Sequence, residues 1–342
     1  MNPDFPLVAR PRRSAAPSVD PARFLHLVAR ELEATEAVFR SQLSSDVPFI
    51  QEAGLYLSQG GGKRMRPALL LLAARLLERG GAEPVTYAAV VEYIHTATLI
   101  HDDIIDHATL RRGKRTINHL WGNNQTVLLG DWLYTNAMQM ALSHGNLAVV
   151  SALCDATLRM TEGELLSFAR LGSMELTLDE YFSIIDRKTA RLFAAACAIP
   201  AIIEPRDRKA EAALFAFGSK LGLCFQLVDD LLDFTGVEAE VGKPVLSDLK
   251  EGRLTLPILL LLPRLDAIRR SWIEAVLEDR AFRRVAPEQI LELVTSEGTL
   301  EEVEILADET AAAAREALAF LPTGEAREAL EFAPEFVLHR RT

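Results

Sequence analysis

From Pro21 to the C-terminus, apolar residues recur at i, i+3, i+4 and i+7 in one segment after another, with no sustained apolar/polar alternation between them. That period gives each helix an apolar stripe and gives a sheet no face to bury, so the chain reads as all-α. Leu, Ala and Glu dominate and aromatic residues make up only 7%, a mixture that also favours helix. Turn residues divide the pattern at Gly60-Gly61-Gly62, Gly80-Gly81, His144-Gly145-Asn146, Leu171-Gly172-Ser173, Glu204-Pro205-Arg206, Val241-Gly242-Lys243-Pro244 and Pro322-Thr323-Gly324. No linker-like stretch or fixed-period repeat cuts the chain after residue 20. Residues 21–342 therefore read as one large helical-bundle domain behind a flexible leader of residues 1–20.

Several function classes fall away on charge and patterning. Lys and Arg number 37 against 48 Asp and Glu, for a net charge of -11, the wrong sign for a surface that tracks nucleic acid. Basic clusters must instead be local. The longest apolar runs, around Leu69–Ala74 and Ile258–Leu262, stop at a charge or a proline, well short of the roughly 18 residues a membrane span needs. The expectation is a soluble protein whose contact with a membrane is at most peripheral. Arg10, Arg12 and Arg13 stand among prolines without an apolar core segment, unlike a secretory signal. Cys154, Cys197 and Cys224 are odd in number, widely spaced and set in apolar helical surroundings. They read as buried thiols in a reducing compartment, the cytoplasm.

The chemistry concentrates in an internal echo. Leu99-Ile100-His101-Asp102-Asp103-Ile104-Ile105-Asp106 and Gln226-Leu227-Val228-Asp229-Asp230-Leu231-Leu232-Asp233 both end a strongly apolar helical segment in Asp-Asp-apolar-apolar-Asp. On a helix, Asp102 stacks on Asp106 and Asp229 on Asp233. Carboxylates so paired beside apolar residues repel each other unless a cation sits between them. With oxygen donors and no His or Cys cluster, the suitable cation is a hard one such as Mg²⁺, which shares its shell with phosphate oxygens. Cationic residues gather around both motifs. Lys63 and Arg66 follow Gly61-Gly62 at the start of an apolar helix, where backbone N–H groups also favour an anion. Arg111, Arg112 and Lys114 follow the first motif, Lys188-Thr189 lie between the two, and Lys243, Lys250 and Arg253 follow the second. Each alone could be a solvated face; grouped around paired carboxylates they suit diphosphate capture.

These residues resemble the trans-isoprenyl diphosphate synthases, or polyprenyl synthetases, from about Gly61 to Pro263. The similarity rests on Gly61-Gly62-Lys63-Arg64-Met65-Arg66-Pro67, both aspartate-rich motifs, Arg111-Arg112-Gly113, Lys188-Thr189, Gln226, Gly242-Lys243-Pro244 and Asp248–Arg253. The resemblance implies an isoprenoid-synthase helical bundle around a central cavity. It also implies repeated head-to-tail condensation of isopentenyl diphosphate onto an allylic diphosphate such as farnesyl diphosphate. On that pattern Gly62, Lys63, Arg66, His95 and Arg112 hold isopentenyl diphosphate. Asp102, Asp106, Asp229 and Asp233 bind Mg²⁺, three ions with substrate bound, and Arg111, Lys188 and Lys243 add positive charge. Thr189 and Gln226 place oxygen dipoles near the allylic cation, so the catalytic set is Lys188, Thr189, Gln226 and Lys243. His95 lies two turns below Asp102 on one face, whereas His101 points elsewhere and reads as structural.

In this family, bulky aromatics four or five residues before the first aspartate stop chain growth; here those positions are the small Thr98 and Ala97. The resemblance is therefore to the long-chain, quinone side-chain branch, with octaprenyl to decaprenyl products, and Met138 and Met140 are candidates for the lower tunnel wall. A homodimer is implied as well. The alternatives are a geranylgeranyl-type synthase, a class I terpene cyclase and a non-catalytic partner subunit. The cyclase has no use for the Lys63/Arg66/His95 set, and the intact aspartates argue against the partner subunit. The terminal Arg340-Arg341 could reach the diphosphate site or belong to a free tail.

Overall fold

The structure, a computed structural model, describes residues 25–59, 64–111, 113–204, 208–236 and 245–340. The leader and the site candidates Gly62, Lys63, Arg112 and Lys243 lie outside the described residues.

Helices α1 (Ala29–Ser41), α2 (Pro48–Ser58), α3 (Met65–Leu76) and α4 (Ala82–Ile105) open the bundle. The α3 sequence is apolar on nearly every side, so α3 is buried nearly all round and forms part of the centre. Arg64 caps its N-terminus in a left-handed conformation and pairs with Glu36 of α1 at 3.1 Å and with Glu92 of α4. Those pairs tie three helices together at the segment that leads into Arg66. Helix α4, 24 residues long, ends in the first acidic motif.

After α4 comes a two-residue antiparallel pair, β1 (Leu110–Arg111) and β2 (Lys114–Arg115), turned by Gly113 at φ +73°. It is the one β-pair among the described residues and is tied to the α2 region: Tyr56 Oη donates to Arg115 O at 2.6 Å and Lys114 Nζ to Gln59 O at 2.7 Å. Next come α5 (Ile117–Trp121), α6 (Asn123–Leu142), α7 (Leu147–Ala169), α8 (Leu178–Ile185), α9 (Arg191–Ile203) and α10 (Arg208–Thr235). A capping box of Thr177 and Glu180 starts α8. Between α8 and α9 the chain winds through a π-turn, Asp186–Ala190, where the sequence suggests ordinary helix.

Helix α10 packs against α9 at backbone contact: a Cβ on Gly218 would stand 2.5 Å from the Phe193 carbonyl oxygen, and one on Gly222 would stand 2.6 Å from Ala190 Cα. By length and composition α10 could cross a bilayer; half of its apolar window is buried inside the bundle, and it ends in the second acidic motif. The chain closes with α11 (Ser247–Lys250), α12 (Leu256–Leu261), α13 (Ala267–Asp279), α14 (Pro287–Ser296), α15 (Thr299–Ala317) and α16 (Glu325–Leu338). Helices α15 and α16 pack back onto α10, and one continuous apolar core runs from Val28 to Val337.

The cysteine expectation needs one correction. Cys197 and Cys224 are buried, but Cys154 is exposed, because it lies on the outward face of α7 beside Met138. Met140 is a core residue and Met138 packs at the core's edge.

Candidate active site

The C-terminal ends of α4 and α10 border one cavity of about 1080 Å³. Carboxylates at a helix C-terminus oppose the partial negative charge of the last carbonyls, so both ends call for cations. Arginines answer at each: Arg253 pairs with Asp106, and Arg340 with Asp229. Asp106, Asp229 and Asp233 border the cavity, and Asp102 stands one turn below Asp106 on α4. Burial pushes the Asp102 carboxyl up to about 6, with Lys188 opposing the rise and Glu164 and Asp106 adding to it. Burial and the neighbouring Asp248 push Asp233 up to about 7, although Ser247 donates to it from both N at 2.9 Å and Oγ at 2.7 Å.

The middle aspartate of each motif borders the cavity as well, but its carboxylate is taken up by neighbouring protein groups. Asp103 accepts from Arg111 Nε at 2.7 Å, which anchors Arg111 from the hairpin at the cavity wall. Asp230, only 1% exposed against 46% for the Asp229 side chain, accepts from Tyr181 Oη at 2.6 Å, Gln226 Nε2 at 3.1 Å and Leu256 N at 3.2 Å. Burial pushes its carboxyl up to about 6.

The π-turn carries Lys188 and Thr189 to the cavity. Gly163 of α7 allows the approach, since a Cβ there would lie 2.7 Å from Lys188 N. Lys188 pairs with Glu164, and Thr189 Oγ1 donates to Gln226 Oε1 at 2.9 Å.

A third group is cationic and aromatic. The Arg66 guanidinium stacks 4.2 Å over Phe193, the Arg340 guanidinium 3.8 Å over Phe225, and the two rings lie 5.4 Å apart. The Arg340 side chain is 5% exposed, so the C-terminal arginine of α16's end is packed against the site rather than free. Burial lowers both guanidinium pKa values to about 10, and Arg66 adds to the effect on Arg340. Buried Nε atoms of Arg66, Arg253 and Arg340 have no hydrogen-bond partner among the described residues. Unsatisfied buried donors beside a cavity suit the capture of an anion.

The structure thus brings Arg66, His95, Asp106, Arg111, Lys188, Thr189, Gln226, Asp229 and Asp233 to one cavity. It does not bring Asp102, Ala97 and Thr98 to that wall. The cavity face of α4 runs through Glu92, Thr96, Leu99 and Asp103. Ala97 lies a further 100° round, on the face that His101 continues toward α6, and is buried; the Thr98 hydroxyl turns back to His95 O at 2.8 Å. His101 is structural in geometry: its Nε2 lies 3.2 Å from Val127 O and 3.6 Å from Asp131.

A polyprenyl synthetase profile matches residues 47–294, a span that contains both acidic helix ends, the π-turn and Arg66. The chain belongs to the polyprenyl synthetase family. It is 40% identical over 296 residues to the octaprenyl diphosphate synthase of Escherichia coli, covering 86% of this chain and 91% of that one. The fold matches a polyprenyl synthase from Caulobacter crescentus, solved with calcium and isoprenyl diphosphate, at a TM-score of 0.90 and 35% identity, over 97% of this chain and 100% of that one. It matches a decaprenyl diphosphate synthase from Rhodobacter capsulatus at 0.88 and 38%, over 93% and 98%. Within this family frame, sequence reasoning overlooked Asp103, Asp230, Tyr181 and Glu164. The echo itself held the signal for the first two, since a third carboxylate off the metal-facing stripe must find a partner inside.

Proposed function

We propose that this protein is a Mg²⁺-dependent, long-chain all-trans polyprenyl diphosphate synthase that condenses isopentenyl diphosphate head-to-tail onto an allylic diphosphate such as farnesyl diphosphate. The observation that carries the reading is the pairing, in one cavity, of two acidic helix ends with buried arginine N–H groups that lack partners among the described residues. The printed names of the octaprenyl and decaprenyl relatives support the long product.

The residues fit divalent metal. All the donors are carboxylate oxygens, and Asp102 and Asp233 are buried enough that their charge is disfavoured without a cation. Phosphate oxygens and water would complete the shell of such an ion. The calcium bound in the Caulobacter protein is in keeping with such a site. Held by Asp102, Asp106, Asp229 and Asp233, the metal would supply charge neutralisation for the leaving diphosphate.

The chain's own groups do the rest. Arg111, Lys188 and Arg253, with Lys243, neutralise the allylic diphosphate, while Arg66, His95 and Arg340, with Gly62, Lys63 and Arg112, hold isopentenyl diphosphate across the Phe193–Phe225 pair. When the allylic C–O bond breaks, Thr189 and Gln226 present oxygen dipoles to the positive carbon. The apolar wall of Leu99, Ile100 and Phe225 excludes water that would quench it. We infer that an elongating chain grows past Ala97, which lies behind the described cavity wall on the side of α4 toward α6.

We infer a cytoplasmic homodimer. On α7, Leu147, Cys154, Leu158, Leu165 and Phe168 form an exposed stripe at intervals of seven, four, seven and three residues, with Leu158 57% and Leu165 65% exposed. Tyr134 of neighbouring α6 extends it. A seam of that period fits a second copy of the same helix. Incubation with farnesyl diphosphate, labelled isopentenyl diphosphate and Mg²⁺ tests the reading: Mg²⁺-dependent elongation is expected, and its absence in a folded sample would overturn it.

A further inference from the structure

Four side chains from three separate segments form one hydrogen-bonded chain behind the reacting groups. Tyr181 on α8, 4% exposed, donates from its hydroxyl to Asp230 Oδ2 at 2.6 Å. The backbone N–H of Leu256, at the start of α12, donates to the same oxygen at 3.2 Å. The other oxygen, Oδ1, accepts from Gln226 Nε2 at 3.1 Å, one turn earlier on α10. At the far end of that amide, Gln226 Oε1 accepts from Thr189 Oγ1 in the π-turn at 2.9 Å.

The direction of each bond is dictated by its neighbour. A carboxylate only accepts, so the end of the Gln226 amide that faces Asp230 must be its NH₂. Its carbonyl then faces Thr189, and the Thr189 hydroxyl must donate. The proton of that hydroxyl is thereby committed inward, and its lone pairs are left for the cavity that Thr189 and Gln226 border. An amide turned the other way would set its oxygen against a carboxylate oxygen and let Thr189 aim its proton at the cavity, the wrong sign for a developing carbocation.

We propose that Tyr181 is a positioning residue for prenyl transfer: with Leu256 N it pins Asp230, which orients the Gln226 amide and so turns the lone pairs of Thr189 toward the allylic carbon. The inference deepens the proposed function and rests on it. It also separates Asp230 from its neighbours in the motif, since Asp230 serves the oxygen dipoles while Asp229 and Asp233 are the residues that would hold the metal.

The test uses the full-length protein in steady-state elongation with farnesyl diphosphate, isopentenyl diphosphate and Mg²⁺. Tyr181→Phe should lower kcat about tenfold or more while leaving both KM values and the Mg²⁺ half-saturation within about twofold. In a Thr189→Val background, adding Tyr181→Phe should cost nothing further, because the group it orients is gone. A wild-type kcat, losses that multiply in the double variant, or a change confined to KM would each overturn the relay. Should thermal melting show that Tyr181→Phe does not fold, Asp230→Asn replaces it. A carboxamide there cannot accept from Tyr181 and Gln226 on both ends, so kcat should fall with the Mg²⁺ half-saturation unchanged; a shifted half-saturation would make Asp230 a metal ligand and refute the assignment. Failure of the wild-type protein to elongate would instead overturn the proposed function itself.

Discussion

Replacing Arg66 with methionine should make the substrate-free protein more stable and the enzyme worse. Burial lowers the Arg66 guanidinium pKa from 12.5 to about 10, with Glu92 only partly offsetting. A drop of that size corresponds to about 3 kcal/mol of unfavourable charge burial. Against it stands the stacking on Phe193, worth about 1–2 kcal/mol. Methionine keeps the length and gains a sulfur–aromatic contact of its own, so Arg66→Met should gain about 1–2 kcal/mol. At this chain length that is a rise in Tm of roughly 1–3 °C by calorimetry without ligand. Inorganic pyrophosphate, which should raise the wild-type Tm by filling the space between Arg66 and Arg340, should raise the variant's far less. KM for isopentenyl diphosphate should climb about 10- to 100-fold, the worth of a lost charge-assisted contact. A lower Tm for the free variant, or an unchanged pyrophosphate shift, would refute the view that Arg66 is a strained anion receptor.

Three other outcomes follow from the same geometry. Asp102→Ala and Asp229→Ala should each cut turnover by about a hundredfold or more with the far-UV CD spectrum unchanged; near-normal activity in both would contradict the two-cluster mechanism. Leu158→Asp, placed in the exposed α7 stripe, should convert a dimer to monomers in sedimentation velocity, whereas an unchanged sedimentation coefficient would put the interface elsewhere. Ala97→Tyr should shorten the product as read by thin-layer chromatography, with a loss of about 1–3 kcal/mol from overpacking; destabilisation with unchanged product length would close the route between α4 and α6.

Helical period and the duplicated aspartate motif were enough to place both acidic clusters at the ends of two long helices, because each depends only on spacing along one element. The partners of those clusters were another matter. Arg340 lies more than a hundred residues from Asp229, and its fit over Phe225 arises from α16 packing back onto α10. The π-turn was hidden because Asp186-Arg187-Lys188-Thr189-Ala190 has unremarkable helix propensities, and what accommodates it is the close approach allowed by Gly163 of α7. Ala97 and Thr98 stood out through the family resemblance alone, because which face of α4 meets the cavity is set by neighbouring helices. Cys154 read as core because its surroundings are apolar, and an apolar stripe left on the outer face of a helix has the same pattern as one packed in the interior.

The central claim is tested most directly by the chain length of the product formed from farnesyl diphosphate and labelled isopentenyl diphosphate with Mg²⁺, beside a metal-free control. The account predicts octaprenyl to decaprenyl diphosphate, formed only with metal. A product that stops at geranylgeranyl diphosphate, or no elongation with Mg²⁺ present, would contradict it.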